Sequence, residues 1–145
     1  MVPKRAWLWV SVCWIIALVN GCDRPAGRAL GTAPIPLLVF EQQGGIAGFQ
    51  DRLVVGQGGE YHLRRGRRIE RIGTLAASRK AEVEGWREGF GPFTLKQEDN
   101  PGGPDSLTRQ LTWAGQGQLE ATESQQHELM DWAVQLLDEL SAGDS

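Results

Sequence analysis

Histidine and serine are the first side chains to test for chemistry in this chain. His62 follows Tyr61 in an extended stretch and His127 begins the last predicted helix, and neither has a second ligand at a spacing typical of zinc sites. No serine lies in a Gly-x-Ser-x-Gly turn, and the glycine-rich stretches at residues 44–48 and 56–59 lack the Lys-Ser/Thr of a phosphate-binding loop. We therefore expect no enzyme activity, no metal, no cofactor and no small-molecule substrate.

Arginine forms the strongest charge feature of the sequence. Five arginines fall within eight residues, and we name them the basic patch: Arg64, Arg65, Arg67, Arg68 and Arg71. Three interpretations stay open. The basic patch contacts anionic lipid headgroups, it contacts an acidic partner surface, or its arginines lie on a solvated hairpin and pair with Glu60, Glu70 and the acidic C-terminal helix.

The two halves of the chain carry opposite charge. Residues 23–97 contain 12 basic and eight acidic side chains, whereas residues 98–145 contain one basic and ten acidic side chains. The whole chain has a net charge of −3. A nucleic-acid partner is not expected for an exported chain with this net acidic balance.

The first 22 residues have the pattern of an export signal. Lys4 and Arg5 precede an apolar stretch at residues 7–19, which has the length of a signal core and is short for a membrane span. The sequence Val-Asn-Gly-Cys that ends at Cys22 resembles the lipobox of bacterial lipoproteins, in which the cysteine becomes the acylated first residue. An uncleaved anchor, or a secretory signal that is cut elsewhere, is the alternative. Each of these interpretations places the rest of the chain outside the cytoplasm.

Length and composition predict one domain behind this signal. The chain has 145 residues, of which 41% are hydrophobic and 23% charged, as in an ordinary globular protein. We predict a signal peptide at residues 1–21, a lipidated Cys22 with a Pro- and Gly-rich tether at residues 22–36, and a domain at residues 37–145. The predicted location is the cell envelope, on the extracytoplasmic face of a bacterial membrane. Cys22 is the only cysteine after residue 21, so the domain has no disulfide of its own.

Hydrophobic periodicity predicts a sheet-rich first half. Extended stretches are expected at residues 37–40 and 46–55, around Tyr61 and Leu63, and around Ile69 and Ile72. Val83, Trp86 and Phe90 then recur at helical spacing, which predicts a helix within residues 74–90 that Thr74 or Ser78 caps.

The second half is predicted to contain a loop, a strand pair and a helix. Residues 99–105 are expected to form a Pro- and Gly-rich loop. Apolar and polar side chains alternate in residues 107–113, which predicts a strand, and Leu119 and Ala121 are expected in a second strand that runs back beside it. The final helix has one apolar stripe and a capping box from Thr122 to Gln125, with Gly143 as its C-terminal stop. The pattern predicts an α+β domain with an antiparallel sheet of about four to six strands and two helices packed on it.

The glycine-rich segment between the first two predicted strands carries a family resemblance. Residues 43–49 read Gln-Gly-Gly-Ile-Ala-Gly-Phe and are followed by a glycine-turn hairpin, a helix, a later hairpin and a leucine-rich helix. This order resembles emfourin, the proteinaceous inhibitor encoded beside protealysin, a metalloprotease of the thermolysin family. The resemblance covers most of the chain after residue 37.

The resemblance implies a protease inhibitor that needs no cofactor. It places the partner-binding segment at Gly44, Gly45, Ile46, Ala47, Gly48 and Phe49, as an exposed loop that enters the cleft of a thermolysin-like metalloprotease. A purely structural interpretation stays open, because glycines between strands also permit the positive φ angles of a tight reversal. The alternative function is a non-inhibitory envelope protein that contacts anionic lipid or an acidic partner through the basic patch.

Overall fold

Alternation of apolar and polar side chains builds six strands with one buried face. The computed structural model describes residues 35–67 and 69–143. The strands are β1 (Pro36–Gly44), β2 (Phe49–Gly56), β3 (Glu60–Arg65), β4 (Ile69–Thr74), β5 (Phe93–Asp99) and β6 (Leu107–Trp113). The helices are α1 (Ala77–Gly89), between β4 and β5, and α2 (Glu123–Ala142), after β6.

All strand pairs are antiparallel, and the strand order is β4-β3-β2-β1-β6-β5. Phe40 on the central strand β1 lies opposite Leu53 on β2 and Leu111 on β6, so the largest apolar side chains share one face. The predicted fold class is confirmed: the chain forms a single α+β domain with an antiparallel sheet of six strands and two helices.

Helix α2 supplies the other half of the core. Its N-terminus carries the predicted capping box, in which the Thr122 hydroxyl accepts from the Gln125 backbone N–H and the Gln125 side chain accepts from the Thr122 N–H. The buried face of α2 packs in one cluster with the sheet and consists of Leu129, Met130, Trp132, Ala133, Leu136 and Leu137. The opposite face of the sheet is open and presents charged and polar side chains.

Several predicted element limits are wrong. The first strand continues past Phe40 to Gly44, and the second begins at Phe49 because residues 45–48 form the turn. Leu119 makes only a single bridge to Phe90, so it does not begin a second strand. Strand β5 was not predicted, because its outward side chains are polar and its inward ones are only half-buried at the sheet edge. Helix α1 begins after Ala76 without a side-chain cap.

Some predictions fall outside the described residues. Cys22, the signal peptide at residues 1–21, the tether up to residue 34 and the side chain of Arg68 belong to that part. Strand β1 begins at Pro36, one residue before the predicted start of the domain. Within residues 35–67 and 69–143, no helix has the length and apolar character needed to cross a membrane.

A polar clamp that includes the core residue Trp132 joins the two helices. The Trp132 indole Nε1 on α2 donates to Glu82 Oε2 on α1 at 2.7 Å, and Arg79 binds both Glu82, at 2.9 Å, and Glu139. The hydrogen bond from Trp132 and then that from Arg79 lower the pKa of Glu82, because both favour its charged form. The hydrogen bonds to Glu139 and Glu82 raise the pKa of Arg79. The clamp therefore joins the helices through two carboxylates, Glu82 of α1, which binds Trp132, and Glu139 of α2, which binds Arg79.

Truncation of a core leucine tests the orientation of the sheet. Leu53 is fully buried, and Leu53→Ala should lower the free energy of unfolding by about 2–5 kcal/mol because it leaves a cavity. The adjacent Val54 points to the open face, so Val54→Ala should cost about 1 kcal/mol or less. Urea denaturation measures both variants, and equal costs would contradict the assignment of the buried face.

Acid titration tests the clamp at Glu82. Since the pKa of Glu82 is lowered, the unfolded state takes up the proton first. The stabilisation is fully present above the ordinary glutamate pKa of about 4.5 and is lost as the pH falls through the lowered pKa. The difference in unfolding free energy between the wild type and Glu82→Gln should therefore shrink below about pH 4. Glu88→Gln, on the exposed side of the same helix, is the matched control. A difference that stays constant from pH 7 to pH 3 would contradict the role of the Glu82 charge.

Candidate functional site

The two histidines form local polar contacts. His62 Nε2 lies 2.8 Å from Glu70 Oε1 on the open face, and His127 Nδ1 lies 2.8 Å from the Glu123 carbonyl oxygen one helical turn earlier. In the part of the chain that the structure describes, no three histidine, cysteine, aspartate or glutamate side chains come together as metal ligands. That the protein is not an enzyme and needs no metal or cofactor stays a prediction.

Three hairpin loops meet at one end of the sheet. Because consecutive strands are antiparallel, the connections β1–β2, β3–β4 and β5–β6 all leave the same end. We name this surface the tip edge and define it by the loop residues 45–48, 66–67 and 100–106. The β1–β2 loop lies in the middle, since β1 and β2 are central in the sheet, and the other two loops flank it. The sheet topology thus gathers loops that are far apart in the sequence.

The middle loop holds the predicted partner-binding segment in a constrained turn. Gly44, Gly45 and Gly48 have φ angles of +102°, +70° and +64°, which L side chains rarely adopt. The Gly48 N–H donates to the Gly45 carbonyl at 2.9 Å, and the Gly45 N–H donates to the Ser106 carbonyl of the β5–β6 loop at 2.7 Å. A side chain at Gly44 would collide with the same Ser106 carbonyl. The glycines therefore let two loops approach backbone to backbone.

Ile46 stands at the apex of this turn. Its residue surface is 87% exposed, the largest value among the exposed bulky apolar residues of the described chain. Ala47 and Gly48 are also exposed, whereas Phe49 is half-buried where β2 begins. A β-branched side chain on a hydrogen-bonded turn presents apolar surface in a fixed direction, which suits insertion into a pocket of another molecule.

The basic patch does not form one surface. Arg65 lies on the helix side of the sheet, with Nη1 3.3 Å from Asp138 Oδ1 of α2, and Arg71 donates to the Leu140 carbonyl of the same helix. Arg64 and Arg67 are exposed, and neither makes an ion pair with another described residue. The pairing of arginines with the acidic C-terminal helix is thus present for Arg65, while Arg64 and Arg67 have no ion-pair partner among residues 35–67 and 69–143.

A row of polar side chains lies beneath the tip edge. In register across β3, β2, β1, β6 and β5 stand Arg65, Asp51, Gln42, Arg109 and Gln97, on the same face as the core. We name these five residues the polar row. Its role is not predicted from the sequence, although the alternation of the strands contains a signal for it. Gln42, Asp51 and Arg109 each occupy a position where the alternation of their strand requires an inward-facing residue.

The polar row holds the bases of the two outer loops of the tip edge. Asp51 is only 3% exposed, and its Oδ1 accepts from the Gly66 N–H of the β3–β4 turn at 3.0 Å. Arg109 donates to Gln42 Oε1 at 3.2 Å and to Asp99 Oδ2, at the start of the β5–β6 loop, at 2.8 Å. Asp51 Oδ2 is buried without a hydrogen bond and has Arg65 Nε 3.7 Å away. Fixed polar contacts of this kind limit the motion of the loops before any partner binds.

Comparison with known proteins leaves the function open. No family model, curated protein or solved structure matches the chain. The resemblance to emfourin and the lipoprotein signal therefore stay predictions.

Paired glycine substitutions test the construction of the middle loop. Gly44→Ala should lower the free energy of unfolding by about 2 kcal/mol or more, because its φ is strained for alanine and the added carbon meets the Ser106 carbonyl. Gly48→Ala should cost about 1 kcal/mol, since its φ is also positive but the space around it is open. Thermal or urea unfolding measures both. A larger loss for Gly48→Ala would contradict the close approach of the two loops.

Proposed function

We propose that this protein is a membrane-anchored bacterial lipoprotein whose domain binds and inhibits a thermolysin-like metalloprotease through the middle loop of the tip edge. The observation that carries the proposal is the exposed Ile46 on a turn that hydrogen bonds and glycine geometry hold in place. Preorganised loops lose little conformational entropy on binding, which is a requirement for a tight inhibitor.

The inhibitor acts by occupying the cleft of the protease. Ile46 enters the apolar specificity pocket of the enzyme, and the backbone groups of residues 44–49 lie along the walls of the cleft. The turn resists distortion because Gly45 is bonded to Ser106 and the flanking loops are held by Asp51 and Arg109. No cofactor is needed, since binding alone blocks access of a substrate.

Chain direction supports a role in which the tip edge faces a partner. Strand β1 begins at Pro36, at the end of the sheet opposite the tip edge, and nine residues of β-strand separate the two ends by about 26 Å. A lipid anchor at Cys22 joins the domain at that opposite end. The tip edge therefore lies at the end of the sheet away from the point where the preceding chain enters β1.

The alternative function uses the basic patch. Arg64 and Arg67 are exposed without an ion pair to another described residue, which favours contact with anionic lipid or an acidic partner. Arg67 lies on the tip edge itself, at the end of the sheet opposite Pro36. The exposed Ile46 on its constrained turn favours the inhibitor proposal over this alternative.

A titration of a thermolysin-like protease from the same organism tests the proposal. The full chain in detergent should remove peptide-cleaving activity at one equivalent. Ile46→Asp should weaken inhibition at least about 30-fold, because a central interface anchor contributes about 2 kcal/mol or more. Ile72→Asp is the matched control, since Ile72 is also exposed, at 75%, but lies on edge strand β4. It should inhibit like the wild type.

Two outcomes would count against the inhibitor. One is full protease activity in the presence of a folded chain, and the other is equal inhibition by wild type and Ile46→Asp. Salt-sensitive binding to anionic vesicles that is lost in Arg64→Ala/Arg67→Ala would then favour the alternative function.

A further inference from the structure

A groove on the helix layer is separate from the tip edge and shares no residue with it. It has a volume of about 600 Å³ and is lined by Trp86 of α1 together with one side of α2: Ser124, His127, Glu128, Asp131, Trp132 and Gln135. We name it the helix groove. Its α2 residues 124, 128, 131 and 135 follow one another along the helix over about 16 Å, the length of about five extended residues.

Two indole rings form the apolar part of the helix groove. Trp86 and Trp132 meet edge to face, with ring centroids 5.2 Å apart and an interplanar angle of 88°. Trp132 is 6% exposed and its Nε1 is bonded to Glu82, so the pair is held in one arrangement. Indole faces attract planar cations such as guanidinium.

Two carboxylates border these rings, and no cation of the described chain neutralises them. Glu128 and Asp131 are exposed and make no ion pair with another residue among 35–67 and 69–143. Helix α2 contains no lysine or arginine. The two carboxylates near the C-terminus of α2 are paired: Asp138 with Arg65, and Glu139 with Arg79. Among the described residues, the carboxylates of α2 that lack an ion pair are therefore those of its groove-lining and N-terminal part.

The chain itself shows which cation suits this combination. Arg79 lies with its guanidinium carbon 5.8 Å from the Trp132 ring centroid while it binds the carboxylates of Glu82 and Glu139. The helix groove offers the same components, indole rings and two carboxylates, but contains no arginine. Guanidinium is favoured over ammonium there, because it both stacks on indole and binds carboxylates through a planar fork.

We propose that the helix groove binds an extended, arginine-containing segment of a partner protein. One arginine of the segment stacks on the half-buried ring of Trp86, next to Trp132, and the segment donates hydrogen bonds to Glu128 and Asp131. At the two ends of the helix groove, the polar side chains of Ser124 and Gln135 form hydrogen bonds with the backbone of the segment. This inference does not depend on the inhibitor proposal, since a different surface carries it.

Calorimetric titration with a model peptide tests the groove. The probe is a blocked pentapeptide, Ala-Arg-Ala-Arg-Ala, added to the full chain in detergent, and the control peptide has citrulline in place of arginine. The arginine peptide should bind saturably, and its binding should shift the indole N–H resonances of Trp86 and Trp132 in NMR spectra. The citrulline peptide should bind at least about tenfold more weakly, because it keeps the shape and loses the charge.

Charge-matched variants locate the binding. Glu128→Gln/Asp131→Asn should weaken binding of the arginine peptide about tenfold, since each exposed ion pair contributes a few-fold. The control, Glu88→Gln/Glu120→Gln, removes the same charge from exposed positions outside the groove and should bind like the wild type. Circular dichroism checks that both variants remain folded.

Any of three results would overturn the proposal. These are no saturable binding up to 10 mM peptide (about 3 kcal/mol of binding free energy), equal weakening by the groove and control variants, and equal affinity for the citrulline peptide. Spermidine binding as tightly as the arginine peptide would overturn the assignment of guanidinium as the ligand.

Discussion

The register of the central strand β1 with both of its neighbours is the constraint on which the rest of the structure depends. Phe40 faces Leu53 on one side and Leu111 on the other, and the same alignment places Gln42 between Asp51 and Arg109. A shift of one residue would turn every inward side chain to the open face. Apolar burial and loop anchoring are therefore set by a single pairing pattern.

That register divides the inner face of the sheet into an apolar region and a polar region, which different interactions hold in place. The apolar rows lie under the helices and stabilise the domain by burial. The polar row lies beyond them, where inward-facing side chains bond to the turns at Gly66 and Asp99. Buried polar groups of this kind contribute less to stability than to fixing one arrangement, since a buried atom such as Asp51 Oδ2, which accepts no hydrogen bond, carries a desolvation cost. This desolvation cost arises at the base of the exposed loops.

The two candidate surfaces recognise partners by different interactions. On the tip edge, an apolar side chain on a rigid turn projects outward, and its affinity depends on a complementary pocket. In the helix groove, indole rings and carboxylates form a concave surface that selects for planar positive charge. The opposite charges of the two halves of the chain meet where the helix α2 packs on the sheet and on α1. The arginines of the first half neutralise the C-terminal end of α2 and leave its first turns acidic.

The sequence alone determined the elements whose pattern is local. Alternation and glycine turns predicted the first four strands, and the stripe with the Thr122 capping box predicted α2, because side-chain periodicity and caps act within a few residues. Glycine spacing also indicated a special loop before Phe49. Only the tertiary structure decided that the loop lies between two others, that Arg65 pairs with Asp138 of α2, and that β5 is a strand. Those features depend on cross-strand pairing over as many as 67 residues, as for Arg109 and Gln42, and no local pattern encodes such pairing.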